Sequence, residues 1–131
     1  MALGTRREAR ERALALLYEA EMKGLSPAAL LEELPVAPQP FARELVVGVG
    51  SSAPELDALL RRHSHDWPIE RMATVDRLLL CIAVHELRAR PEVPRAVIIS
   101  EAVELAKRYS TEESGRFVNG ILSAIAADVR G

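Results

Sequence analysis

The chain of 131 residues is 49% hydrophobic but only 4% aromatic, and its formal net charge is −2. That length suits one domain with its own core, and the aliphatic composition favours packed helices over a β-sandwich. The slight acidity excludes a generic polybasic binder of nucleic acid or membrane surfaces. The sequence has no apolar run long enough for a membrane span and no secretory leader, so we expect a cytoplasmic protein without membrane contact.

The spacing of apolar residues predicts helices along the chain and no convincing strand. The predicted helices, in chain order, are Thr5–Met22, Pro27–Leu34, Phe41–Val49, Pro54–His63, Val75–Arg88, Val97–Tyr109 and Ser114–Val129. A further short helical turn is expected at Trp67 and Pro68. These elements predict an all-α fold of about seven short helices. The helix at 75–88 is apolar on more than one face, so we expect other helices to pack on both of its sides.

Polar residues at several helix ends predict where those helices begin and end. Thr5 is the expected N-cap of the first helix, and Gly24 is expected to end it. Ser52-x-x-Glu55 has the spacing of a capping box, which would begin the helix at 54–63. Thr74 is the expected N-cap of the helix at 75–88.

Few residues have the spacing of a catalytic or metal-binding site. His63-x-His65 offers two ring nitrogens, but apart from Asp66 no further ligand lies near them at a recurring spacing. The single cysteine, Cys81, lies in the apolar run 78–82, which favours a buried, inert thiol and excludes a disulfide framework. The chain contains no nucleophile elbow, phosphate-binding loop or dinucleotide fingerprint. We therefore expect neither an enzyme nor a bound cofactor or metal.

Basic residues are concentrated at the start of the first predicted helix. The chain has 15 Arg and two Lys, and four of the Arg fall between residues 5 and 12. Arg6, Arg7 and Arg10 lie within about 100° of one another on a helix, and Tyr18 follows near the same stripe about 16 Å along the axis. Guanidinium groups bind phosphates and aromatic rings stack on bases, so the pattern suits single-stranded RNA. A solvated charged turn, with Tyr18 at the edge of the core, is the alternative interpretation.

The segment Phe117-Val-Asn-Gly120 is unusual within an otherwise strong helix pattern. Asn and Gly are each less favourable than Ala in a helix interior by roughly 0.5–1 kcal/mol. Asn119 is therefore expected to make a specific polar contact, and Gly120 to allow close helix packing. A packing requirement without any ligand is equally consistent with this segment.

Taken in chain order, several segments resemble the family of the transcription antitermination factor NusB. These segments are residues 9–18 (ARERALALLY), 75–80 (VDRLLL), 86–87 (EL), 93–94 (VP), 101–107 (EAVELAK) and 117–122 (FVNGIL). The resemblance implies an all-helical fold of two packed subdomains, about 1–65 and 66–131. It also implies binding to the boxA element of ribosomal RNA leader transcripts together with NusE, a small-subunit ribosomal protein. Other Nus factors and RNA polymerase are the further partners that the resemblance implies.

The resemblance and the helix pattern together predict two sets of site residues. The predicted RNA-binding residues are Arg6, Arg7, Arg10, Tyr18, Lys107 and Phe117. Of these, the arginines are expected to contact phosphates, the aromatic side chains to stack on bases, and the lysine to flank them. The resemblance implies that Asp76 and Glu113 contact NusE, and a basic ribosomal protein favours such carboxylates. Glu8 interrupts the basic cluster, so we expect a partner to supply part of the positive surface.

Three alternatives stay open on the sequence. A helical adaptor that binds only proteins would use the same fold without any RNA contact. The fold also resembles the N-terminal domain of some RNA cytosine methyltransferases, which carry a cofactor domain downstream. Some members of the family are homodimers, and the sequence does not decide between monomer and homodimer.

Overall fold

The fold consists of helices joined by short loops. The structure is a computed structural model that describes residues 5–65 and 67–131, and within those residues it contains no strand. The α-helices are α1 (Arg6–Lys23), α2 (Pro27–Glu33), α3 (Pro40–Ser51), α4 (Ala53–His63), α5 (Thr74–Ala89), α6 (Arg95–Tyr109) and α7 (Glu112–Arg130). One turn of 3-10 helix, Ile69–Arg71, precedes α5. The predicted all-α fold of about seven helices is confirmed.

The length and polarity of each helix decide whether it could cross a membrane. In the described part of the chain, every helix is too short or too polar to cross a lipid bilayer. The two longest, α1 and α7, have 18 and 19 residues, and both carry several charged side chains.

The cap residues of α1 lie where the sequence predicts them. The Thr5 hydroxyl accepts a hydrogen bond from the backbone N–H of Glu8 at 3.0 Å, and the Glu8 carboxylate accepts one from the Thr5 N–H at 2.7 Å. Gly24 ends the helix at a φ of +69°, a left-handed conformation that favours glycine. Glu8 therefore completes a capping box, which explains a carboxylate within the basic cluster.

Two other predicted caps are wrong. Ser52 makes no side-chain cap bond, because it also ends α3: its backbone N–H donates to the Gly48 carbonyl, and its φ and ψ are not extended. Ala73 rather than Thr74 is the N-cap of α5, and Thr74 is already helical. At Ser52 the end of α3 therefore holds the backbone out of the extended conformation that a side-chain cap requires.

A run of consecutive buried residues makes α5 the central helix. All residues from Leu78 to Val84 are buried, so core contacts surround this part of α5 on every side. The helix packs against α1, α3 and α4 from the first half of the chain and against α6 and α7 from the second. The expected packing on both sides of this helix is thus present. The division into subdomains at about residues 65 and 66 stays a prediction.

Gly48 permits the close crossing of α3 and α5. A Cβ atom at Gly48 would lie 2.1 Å from Cε1 of His85 on α5, so a larger residue would have to displace the imidazole ring that packs against this glycine. Gly120 behaves differently: it is exposed on α7, and an added Cβ would have no neighbour within 4 Å. The prediction that Gly120 allows close helix packing is therefore wrong.

Arg130, at the end of α7, fastens the end of α5 and the loop that follows it. Its guanidinium donates to the carbonyl oxygens of Leu87 at 3.0 Å, Arg90 at 2.8 Å and Val93 at 2.6 Å. The last carbonyls of a helix have no partner within the helix, so a cation that binds them stabilises the helix end. One side chain thereby joins α5, α7 and the turn before α6.

We expect Arg130→Ala to lower the free energy of unfolding by about 2–3 kcal/mol, because it removes several charge-assisted hydrogen bonds to partly buried carbonyls. Urea denaturation followed by circular dichroism measures the change. Arg88→Ala is the matched control, since Arg88 is exposed in the last turn of α5. Equal stability of the two variants would contradict a fastening role for Arg130.

Candidate nucleic-acid interface

Two of the predicted phosphate ligands, Arg6 and Arg7, are exposed in the first turn of α1. The Arg6 guanidinium lies over the ring of Phe41 on α3, 4.8 Å from its centroid. Arg7 donates from Nε and Nη2 to the two carboxylate oxygens of Glu101 on α6, at 3.0 and 2.7 Å. These bonds hold the pKa of Glu101 below its usual range. A guanidinium has five N–H groups, so about three on Arg7 remain for a phosphate.

Arg10 does not share that exposed surface. Its side chain is buried, with 4% of the residue exposed, and it forms two hydrogen bonds of 2.8 Å to the carboxylate of Glu86 on α5. Glu86 is itself only 1% exposed. The expected grouping of Arg10 with Arg6 and Arg7 is therefore wrong, because the direction in which Arg10 leaves α1 faces α5. This pairing argues against a direct contact between Arg10 and RNA.

Tyr18 lies where the sequence predicts it, on the surface of α1. It is 41% exposed and forms one wall of a groove of about 330 Å³. Tyr109, at the end of α6, lines the same groove. The sequence does not single it out, because no motif or spacing distinguishes it there. The other lining residues are Glu11, Leu14, Ala15 and Val75.

Lys107 is exposed near the end of α6. Its aliphatic stem packs over Gly115 of α7, where an added Cβ would lie 2.9 Å from Lys107 Cγ. Lys107 therefore lies in the last turn of α6, close to the first turns of α7. Gly115, rather than Gly120, is the glycine of α7 at which a neighbouring side chain approaches closely.

The two predicted partner residues, Asp76 and Glu113, line a second pocket of about 280 Å³. Asp76 is only 6% exposed; its Oδ2 accepts a hydrogen bond of 2.8 Å from the Ser114 hydroxyl. Its Oδ1 is buried and has no hydrogen-bond donor among residues 5–65 and 67–131. Glu113 is exposed and pairs with Arg116 at 3.4 Å.

Phe117 lies in this second pocket as well, half-buried beside the two acids. Trp67, an exposed aromatic residue before α5, completes the rim. Val75 lines the groove of Tyr18 and Asp76 lines the pocket of Phe117. The two surfaces therefore lie on either side of the first turn of α5.

The sequence also offers His63, Asp66 and Cys81 as candidates for metal binding or chemistry. His63 Nε2 lies 2.9 Å from a carboxylate oxygen of Asp128 on α7, and Asp66 lies outside the described residues. In the part of the chain that the structure describes, no three His, Cys, Asp or Glu side chains group as a metal site. Cys81 is buried, and its burial raises the pKa of its thiol to about 11, as an inert thiol requires.

The sequence matches a known family over nearly its whole length. The model of the NusB family matches residues 7–127. The chain is 46% identical to the transcription antitermination protein NusB of Myxococcus xanthus, over 95% of this chain and 96% of that protein. It is 47% identical to the protein of the same name from Sorangium cellulosum, over 97% of this chain and 95% of that protein.

The structure is also similar to solved structures. NusB of T. maritima matches with a TM-score of 0.85 and 34% identity, over 95% of this chain and 92% of that chain. A chain from the crystal structure of antitermination factors NusB and NusE in complex with dsRNA matches with a TM-score of 0.80. It is 30% identical over 94% of this chain and 96% of that chain.

We expect Arg10→Ala to lower the free energy of unfolding by about 3–5 kcal/mol, because it leaves the Glu86 carboxylate buried without its partner. Chemical denaturation measures the loss. Arg12→Ala, a more accessible position on the same helix, should change stability by less than about 0.5 kcal/mol. Combining Arg10→Met with Glu86→Leu should recover most of the stability. Unchanged stability of Arg10→Ala together with weakened RNA binding would show instead that Arg10 contacts RNA.

Proposed function

The chain belongs to the NusB family of transcription antitermination proteins, and on that premise we propose that it binds boxA RNA of ribosomal RNA transcripts together with NusE. We propose further that the complex joins elongating RNA polymerase with other Nus factors in the cytoplasm. The observation that carries this proposal is the solved complex of NusB, NusE and dsRNA, whose NusB-like chain matches nearly all of this one. The function is one of binding rather than catalysis.

The RNA surface of the proposal consists of residues exposed on α1 and α6. Arg6 and Arg7 offer guanidinium groups at one end of α1, and Tyr18 offers an aromatic ring at the other. Lys107 adds a cation near the end of α6. Arg10 acts through its buried bond to Glu86, which fixes the helix that presents the other residues.

The proposed NusE surface is the pocket that contains Asp76 and Glu113. Asp76 Oδ1 is buried and has no donor among residues 5–65 and 67–131, which is costly, so a Lys, Arg or backbone N–H from a partner would satisfy it once the residues that cover it move. Glu113 at the exposed rim favours approach of a basic protein. Phe117 lines the same pocket, so we place it where the RNA and NusE surfaces meet.

An adaptor function and a homodimeric state make different predictions about RNA binding. A helical adaptor without RNA contact would bind NusE through the Asp76 pocket, yet would not distinguish boxA RNA from a scrambled strand. A homodimer that covers α1 would bind RNA only after dissociation, so its RNA affinity would fall as protein concentration rises. Sedimentation of the chain with and without RNA separates these states.

We expect the double change Arg6→Ala and Arg7→Ala to weaken binding to boxA RNA and to a scrambled strand alike, because phosphates carry no sequence information. The slope of log K against log salt should decrease by about 0.7 for each phosphate of a single strand that the variant no longer binds. Fluorescence anisotropy of labelled RNA, with NusE present, measures both quantities. Arg12→Ala is the control on the same helix. An unchanged salt slope would show that this turn is only a solvated surface.

We expect Asp76→Asn to weaken NusE binding by at least about tenfold, because the neutral side chain replaces a charged acceptor with a weaker one. Glu113→Lys should slow association and reduce its dependence on salt, since Glu113 is exposed at the rim. Stopped-flow association at several salt concentrations separates the two effects. Glu112→Lys, at the neighbouring exposed position, is the control for charge alone. Wild-type kinetics in both variants would remove these acids from the interface.

A further inference from the structure

A third pocket, of about 450 Å³, lies between α1, α3, α4 and α5. Its buried lining is apolar, since Leu17, Leu56, Leu60 and Leu78 are each at most 4% exposed. The Cys81 thiol joins them, and its burial raises its pKa to about 11, so it is uncharged at neutral pH. A mostly apolar cleft of this volume between packed helices has the character of a small-molecule site.

This pocket is separate from the groove of Tyr18 and from the pocket of Asp76, because it shares no lining residue with either of them. On α1, Leu17 lines this pocket and Tyr18 lines the groove. Successive residues of a helix diverge by about 100°, so the two side chains leave α1 in different directions. A ligand in this pocket would therefore leave the proposed RNA and NusE surfaces open.

Charged side chains line the pocket from three helices, with Glu21 on α1, Asp57 on α4 and Arg77 on α5. Arg77 donates a hydrogen bond to the Glu21 carboxylate. The Arg77 side chain is 25% exposed, against 39% for Glu21 and 46% for Asp57. The two carboxylates are thus the more accessible charges of this pocket, and the guanidinium is the more covered one.

The ion pairs beside this pocket leave one carboxylate in excess. Arg77 neutralises Glu21. Arg61 lies between two further acids: its Nε donates to Asp57 Oδ2 at 2.8 Å, and its Nη2 donates to Glu70. Three carboxylates therefore share two guanidinium groups, which gives a net charge of −1. Because Arg61 bonds to one oxygen of Asp57, the other oxygen can accept from a ligand.

We propose that this pocket binds a small amphipathic amine, with its apolar body against the leucines and its ammonium group on Asp57 beside Glu21. An apolar body suits the lining because it removes both surfaces from water. An ammonium group suits the charged side, where carboxylates are accessible and in excess. This inference goes beyond RNA and NusE binding and does not depend on either.

The ligand class is tested with three probes that share a phenyl ring and its tether and differ in the end group. The probes are 4-phenylbutylamine, 4-phenylbutanol and 5-phenylpentanoate. The amine should bind with a dissociation constant of about 1 mM or tighter. It should bind about two- to fivefold more tightly than the alcohol, as one partly exposed ion pair allows, and the acid should bind most weakly. Titration followed by NMR of labelled leucine methyl groups measures all three; absent binding of the amine, or tighter binding of the acid, would overturn the proposal.

The charge assignment is tested by removing each carboxylate in turn. Asp57→Asn should abolish the preference for the amine over the alcohol and leave the affinity for the alcohol unchanged. Glu21→Gln should raise the affinity for the acid, because it releases the Arg77 guanidinium. Glu55→Gln is the matched control, since Glu55 is an exposed acid on α4 that does not line the pocket. An amine preference that survives in Asp57→Asn would overturn the assignment.

The location is tested by blocking the pocket. Ala53 is exposed and lines it, so Ala53→Phe should weaken binding of all three probes by at least about threefold. Ala124→Phe makes the same change at an exposed position of α7 and should have no effect. Thermal melts of both variants check folding. Nuclear Overhauser contacts between the probe ring and the methyl groups of Leu56 and Leu78 in the wild-type chain give a second measurement; their absence would overturn the location.

The complete assembly supplies the last test. The amine should bind the chain equally well alone and with NusE and boxA RNA present, because the pocket shares no lining residue with the other two surfaces. Cys81, the single cysteine of the chain, should react more slowly with a small neutral methanethiosulfonate when the amine is bound. If NusE alone displaces the amine, a side chain of the partner occupies the pocket and the proposal fails.

Discussion

The buried ion pair between Arg10 and Glu86 fixes α1 against α5, and the positions of the exposed side chains on α1 depend on it. Both partners are almost fully buried, and each guanidinium–carboxylate bond is 2.8 Å long. Both charges leave water when such a pair forms, so the two hydrogen bonds must be kept to offset the cost of burial. Because the pair is bidentate, α1 has little freedom to rotate or slide against α5. The register of α1 in turn determines that Arg6, Arg7 and Tyr18 reach the surface.

Arginines in this chain divide into those that hold helices together and those that are displayed. Arg10 and Arg130 fasten helices through buried or partly buried acceptors. Arg7 on α1 and Arg108 on α6 combine both roles, since each bonds to a carboxylate on the other helix while staying half exposed. The carboxylates of Glu101 and Glu11 thus orient guanidinium groups that still have free N–H groups for an anion.

The first turn of α5 lies between two surfaces of different chemistry. Val75 lines the groove that Tyr18 and Tyr109 also line, and the next residue, Asp76, lines the second pocket. Asp76 Oδ1 has no hydrogen-bond donor among residues 5–65 and 67–131. Successive residues of a helix diverge by about 100°, so neighbouring positions serve different partners. RNA and a basic protein bound at these surfaces would both contact the start of α5, which provides a short physical connection between them.

The sequence alone determined the helices, the caps of α1, the buried Cys81 and the exposure of Arg6, Arg7 and Tyr18. These features follow from local periodicity, from cap chemistry and from the composition of single segments. The family was also evident from short motifs in order along the chain, and the comparisons confirm it. Among the predicted caps, Ser52 fails because it also ends α3, and Thr74 fails because α5 begins one residue earlier than predicted.

Only the tertiary structure decided what each polar side chain faces. Arg7 and Arg10 lie on one stripe of α1, yet one pairs at the surface and the other is buried, because α5 covers only the second position. Glu86 and Glu11 lie far from Arg10 and Arg108 in sequence, so no local spacing predicts either bond. Likewise, only the tertiary structure brings Tyr109 to the groove that Tyr18 lines. Helix periodicity defines a face, but the packing of other helices decides which part of that face meets solvent.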